Sequence, residues 1–177
     1  TELIIRHWYN PNLLFLWKNI PGLLMMLTTL ITMIVTALSV AREKELGTFD
    51  QLLVSPYSPT EILLGKAIPA YIIALLESFL IFGIGCVLYS VPFEGSFLLL
   101  YTVLSIYLLS LIGIGLFISS ICQTQQQAIL GVFLFTLPAI LLSGFASPIE
   151  NMPGWLQKAD AINPLMYFFI VSKGLFL

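Results

Sequence analysis

Four stretches of this chain, residues 21–41, 67–90, 97–121 and 128–145, contain a single charged side chain between them, Glu77. The first is twenty-one residues long, and at about 1.5 Å per residue a helix of that length matches the roughly 30 Å hydrocarbon core of a bilayer. The fourth is barely long enough to cross, and Pro138 is expected to kink it. With 59% hydrophobic and 9% charged residues and a mean hydropathy of +1.01, the chain is no ordinary soluble domain, whose charged fraction is about 25%. The expected fold class is an all-α integral membrane protein with four spanning helices. The net charge of −2 gives no basic surface for nucleic acid.

The first two spans are separated by residues 42–66, which hold four acids (Glu43, Glu45, Asp50, Glu61) and three bases (Arg42, Lys44, Lys66), nearly half the charge of the chain. A stretch so charged lies in water. Leu46, Phe49, Leu52 and Leu53 fall at i, i+3, i+6 and i+7, an apolar stripe on one side of a helix. That helix should stop at Ser55-Pro56. A second begins at once, because Ser58-Pro59-Thr60-Glu61 places a capping serine, a proline at the first helical position and a glutamate reaching back to the exposed amides.

The run from Arg42 to Pro56, REKELGTFDQLLVSP, followed by Leu64-Gly65-Lys66, resembles the signature loop of ABC type-2 transporter permeases, and most of all the bacterial multidrug-export permeases. The resemblance implies a coupling helix resting in a cleft of an ATP-hydrolysing partner, with Arg42, Glu43, Glu45, Gly47, Thr48, Phe49 and Leu52 as ATPase-coupling residues. A surface helix lying on lipid headgroups is the alternative, but such helices are rich in Lys and Arg and this one is acid-balanced. Residues 147–157 and Ala161-Ile162-Asn163-Pro164 resemble the same family, where they form short helices dipping into the outer leaflet. There Trp155, Leu156, Ala159 and Ile162 would share one face while Glu150, Lys158 and Asp160 hold the helix at the interface. Residues 165–177 are too few to span unaided and read as a re-entrant helix or the start of a truncated span. The domain division that follows is residues 1–20 as the end of an extracytoplasmic region and 21–177 as the transmembrane domain, with a cytoplasmic coupling loop at 42–66 and outer-leaflet helices at 146–177. The resemblance also implies that the chain is a fragment, lacking a first membrane helix, an extracytoplasmic domain and a last membrane helix.

Polar groups inside the spans are the next candidates. Thr28, Thr32 and Thr36 recur every four residues with Thr29 beside them, a stripe suited to helix packing or to a water-accessible path, unless each hydroxyl bonds back to its own helix. Glu77 lies eleven residues beyond Lys66, about 16 Å deep, where an ionised acid costs about 2.5–3.5 kcal/mol. It is a substrate contact or a hydrogen-bonding residue at a subunit interface. Gly83, Gly85, Gly113 and Gly115 suit close helix approach. Cys86 and Cys122 fall near opposite membrane faces, too far apart for a disulfide. Residues 1–20 contain the turn Asn10-Pro11-Asn12, the interfacial rings Trp8, Tyr9 and Trp17, and the sole histidine, His7, which makes no metal site alone.

No GxxxxGK[ST] run occurs, so this chain carries no phosphate-cradling loop, and it is expected to be a transport subunit rather than an enzyme, with ATP and Mg held by the partner. An intramembrane hydrolase would need a second deep acid, or a histidine beside Ser143. The expected function is the translocation path of an ATP-driven exporter of hydrophobic or amphipathic, drug-like cargo. Export of a lipid-linked glycan and a non-transporting membrane scaffold are the alternatives. Expected partners are an ABC ATPase, a second permease and lipid, with no nucleic acid. Three Lys and Arg residues in the charged loop against four elsewhere leave orientation undecided by charge. The resemblance places the loop in the cytoplasm and the protein in the bacterial inner membrane.

Overall fold

The computed structural model describes residues 15–88, 95–145 and 152–176, leaving His7, Trp8, Tyr9, the Asn10-Pro11-Asn12 turn, Glu150 and the side chains of Trp17, Leu53 and Ala159 outside the described set. Among the described residues all regular structure is helical: α1 (Phe15–Glu45), α2 (Phe49–Leu53), α3 (Pro59–Leu88), α4 (Phe97–Ile121), α5 (Gln125–Leu142), α6 (Gly154–Asp160) and α7 (Pro164–Phe176). Four of these, α1, α3, α4 and α5, are long and apolar enough to cross a membrane. The protein is thus an all-α membrane protein.

The helices run further than their uncharged cores. α1 continues through Arg42, Glu43, Lys44 and Glu45, and α3 starts at Pro59, because nothing in these polar residues opposes helix once a span has nucleated it. The separate part of the charged stretch shrinks to residues 46–58. The polar run after α4 is likewise shortened to a turn at residues 122–124, its last three residues joining α5, whose first turn is capped by Thr124 Oγ1 accepting from the Gln127 N–H at 3.3 Å.

α1 is the central helix: half of its apolar window is buried, against about a third or less for the other three spans. It packs against α3, α4, α5 and α7, with Met25, Met33, Ala37 and Ala41 fully enclosed. Lipid tails are as apolar as Leu, so close van der Waals fit and hydrogen bonds hold such helices together, and α1 supplies both. Thr28 Oγ1 lies 3.3 Å from Ser78 Oγ on α3, Thr29 Oγ1 bonds the Tyr107 hydroxyl on α4, and Thr36 bonds back to Met33 O at 3.2 Å. A side chain at Gly115 would collide with Thr36, so that glycine sets the approach of α4 to α1. Gly113 faces open space.

At the end of the bundle away from the charged loop, α6 and α7 are joined by a short elbow at residues 161–163. The Asn163 amide donates to Ala139 O of α5 at 2.8 Å, and its Oδ1 accepts from the Leu165 N–H at 3.1 Å, capping α7. From there α7 runs outward. Phe168 stacks on Tyr107 with centroids 4.4 Å apart, Phe176 meets Phe82 at 5.6 Å, and Leu175 O accepts from Gly95 N at 3.2 Å. Of the groups expected to hold α6 at the interface, Lys158 is exposed and Asp160 is not. Asp160 is buried, sharing a 3.0 Å hydrogen bond with Asn163, while Trp155 and Ile162 are 71% and 86% exposed. The elbow lies against α5 through Asn163 and Ala139 O, which encloses Asp160 while Gln157 and Lys158 stay exposed.

Candidate functional site

The last turn of α1 gathers most of the charged residues singled out in the sequence. Residues 43, 44 and 45 project about 100° apart around the helix, and each reaches a different neighbour. Glu43 Oε2 pairs with Lys66 Nζ of α3 at 2.6 Å, with the two side chains only 27% and 11% exposed. Lys66 also donates to Ser39 O at 3.3 Å. Lys44 Nζ donates to Ser120 O and, at 3.3 Å, to Cys122 O, two carbonyls at the end of α4. Glu45 Oε2 accepts from the Gln125 N–H at 2.8 Å, the first amide of α5. Helix ends leave such groups without intrahelical partners, and both contacts match the dipole, cation at a C-terminus and anion at an N-terminus. One turn earlier, the Ser119 hydroxyl of α4 accepts from Ala41 N at 2.9 Å and Val40 N at 3.2 Å while donating to Ala37 O. The α4–α5 turn is therefore stitched to α1 at three successive levels.

The chain then breaks sharply. Gly47 has φ of 71°, the left-handed conformation that glycine adopts without Cβ strain. Its N–H bonds Lys44 O at 3.1 Å while the Thr48 N–H bonds Glu43 O at 3.0 Å, the paired bonds of a Schellman termination. The continuous stripe expected from Leu46 to Leu53 is accordingly split: Leu46 is 64% exposed, and α2 keeps only five residues. Phe49 sits under Lys44, with Nζ 5.6 Å from the ring centroid, a cation–π distance. α3 starts as its sequence predicts, the Ser58 N–H donating to Glu61 Oε2 at 2.7 Å and Glu61 N reaching Ser58 Oγ at 3.4 Å. Between α2 and α3 lies a cavity of about 390 Å³ lined by Glu43, Leu52, Tyr57, Glu61 and Lys66 among others. Leu46, Val54 and Tyr57 are exposed apolar side chains of this loop, at 64%, 86% and 65% exposure.

A sequence-family model described as "ABC-2 type transporter" matches residues 6–177. The chain belongs to that family. Over all 177 residues this ABC-2 chain is 54% identical to the probable multidrug ABC transporter permease YbhR of Escherichia coli, covering 48% of that protein. It is 39% identical over 97% of its length to the probable multidrug ABC transporter permease YbhS, covering 46% of it, and 31% identical over 99% to the inner membrane transport permease YhhJ, covering 47%, both also of Escherichia coli. The chain thus spans about half the length of the curated relatives it matches. No solved structure matches it.

Within this ABC-2 fold the candidate residues fall into two groups. Arg42, Glu43, Glu45, Gly47, Thr48, Phe49 and Leu52 assemble at the charged end, where Arg42 is exposed, Glu43 and Glu45 bind within the chain, and Phe49 and Leu52 are half-buried. Thr28, Thr32, Thr36 and Glu77 lie in the middle of the spans. The three threonines are buried in the chain's own packing, and both Glu77 carboxylate oxygens are enclosed without a hydrogen-bond partner among the described residues. Sequence reasoning missed Lys44, Ser119 and the Gln125 amide, whose partners are about eighty residues away in the chain, and it missed the Asp160–Asn163 elbow. The one available signal was Asn163-Pro164, a helix start in an otherwise apolar segment.

Proposed function

We propose that the chain is the core of a permease subunit of an ATP-binding-cassette exporter. A separate ATPase subunit holding ATP and Mg docks on residues 46–57, which face the cytoplasm of a bacterial cell from its inner membrane, and two permease subunits enclose the path. The observation that carries this reading is the exposure of the apolar side chains Leu46, Val54 and Tyr57 on a loop whose base is anchored to α3, α4 and α5. Exposed apolar side chains on a charged loop favour a binding contact, and the acid balance of the loop argues against lipid headgroups. ATP-driven closure of the ATPase then tilts the helices between inward- and outward-facing states. A cargo that is hydrophobic or amphipathic agrees with the printed descriptions of the YbhR and YbhS relatives as probable multidrug permeases.

The test is co-purification in detergent of the full-length permease with its ATPase, comparing wild type with Val54→Asp and Tyr57→Ala. Both positions are exposed, so the variants fold. Loss of the ATPase in both is expected, whereas undiminished recovery would remove these residues from the interface and favour a scaffold.

A further inference from the structure

We infer that Lys44, Glu45 and Ser119 are positioning residues forming a clasp that makes the α4–α5 turn move with the coupling loop, so that a push on α2 reaches α1, α4 and α5 as one body. The inference rests on the proposed docking of an ATPase at that loop, and it gives Lys44 and Glu45 an internal task in place of contact with the partner.

The loop is covalently continuous only with α1 and α3. Nothing in chain connectivity ties it to the turn at residues 122–124, some eighty residues on. The ties are directional and distinct in kind: a hydroxyl bridging three backbone groups of α1, an ammonium on two terminal carbonyls of α4, and a carboxylate on the first amide of α5. Lys44 is also the group under which Phe49 of α2 lies, so one side chain touches the docking helix and holds α4. Long surface ion pairs exchange partners easily and contribute little. Here the partners are backbone groups, those of Lys44 and Glu45 being ones that helix termini leave unsatisfied and those of Ser119 lying inside α1, and a slip in register breaks all three ties. Relative motion of α1 against α4 and α5 at this end has to break these ties, which favours movement nearer the opposite end.

The experiment uses the full-length transporter with its ATPase, reconstituted in liposomes and spin-labelled at Gln51 on α2 and Gln123 in the turn, both exposed, with Cys86 and Cys122 replaced by Ser. The distance between the labels is measured by pulsed electron resonance without nucleotide and with ATP. In wild type the distribution is expected to stay the same in both states. Lys44→Met and Ser119→Ala should broaden it and lower transport per ATP hydrolysed on the order of tenfold, with ATPase co-purification retained. Glu45→Ala should lower coupling severalfold, and Glu45→Gln, which keeps an acceptor for the Gln125 amide, should restore most of it. A wild-type distance that shifts with ATP, or unaltered distance and coupling in the variants, would overturn the clasp. Loss of ATPase binding in Glu45→Ala and Glu45→Gln alike would overturn it too, assigning Glu45 to docking. If wild type binds no ATPase, the exporter reading fails separately, and the widths of the wild-type and Lys44→Met distributions still decide whether the clasp exists.

Discussion

The two ends of the bundle are held by different chemistry. At the charged end, α1 is fixed to its neighbours by Glu43–Lys66, by Lys44 on the carbonyls of α4 and by Glu45 on the first amide of α5. At the other end, α7 is held by rings, Phe168 on Tyr107, Phe176 against Phe82 and Phe169 against Phe145 at 5.7 Å, together with the hydrogen bonds of Asn163 to Ala139 O and of Gly95 N to Leu175 O. Hydrogen bonds to helix termini are directional and fail when an element slides, while aromatic faces tolerate small displacements. The comparison teaches that the charged end is fixed by hydrogen bonds and an ion pair, whereas the other end adds a layer of stacked rings to its hydrogen bonds.

The largest effect should come from breaking the aromatic end. Phe168→Ala empties a fully enclosed site and is expected to destabilise the fold by about 3 kcal/mol or more, read as a fall in melting temperature in detergent, without changing how tightly the α4–α5 turn is held. Asn163→Leu removes the bonds to Ala139 O, Asp160 and Leu165 N and should cost about 1–3 kcal/mol, measured the same way, with faster hydrogen exchange across α6 and α7. Gly47→Val forces a β-branched residue into the left-handed region, at a cost of about 1–2 kcal/mol. Gly47→Asn should be milder, and the difference should appear in exchange of residues 43–48. Salt should give the smallest response and the sharpest contrast. From 0.1 to 1 M it shortens the screening length from about 10 to about 3 Å, so exchange at residues 120–128 should quicken while α7 stays unchanged.

Much of this was legible in the sequence. The spans follow from apolar length and the start of α3 from Ser58-Pro59-Thr60-Glu61, whereas the break at Gly47 was masked by the helical spacing of Leu46, Phe49, Leu52 and Leu53. What could not be read was partner choice. Glu43, Lys44 and Glu45 look alike as solvated loop charges, and only the packing of α3, α4 and α5 around α1 decides that each meets a different helix. The burial of Asp160 was hidden for a related reason: an acid on a short amphipathic helix reads as interfacial until the elbow is seen lying beside Ala139.

The measurement that tests the central claim most directly is photocrosslinking in cells from a benzophenone residue placed in the full-length permease. It is installed either at Val54 on the loop or at Leu98 near the opposite end of the bundle, 86% and 80% exposed. The account predicts an adduct with the ATPase from position 54 and none from position 98. An ATPase adduct from position 98, or none from position 54 while the transporter remains active, would contradict it.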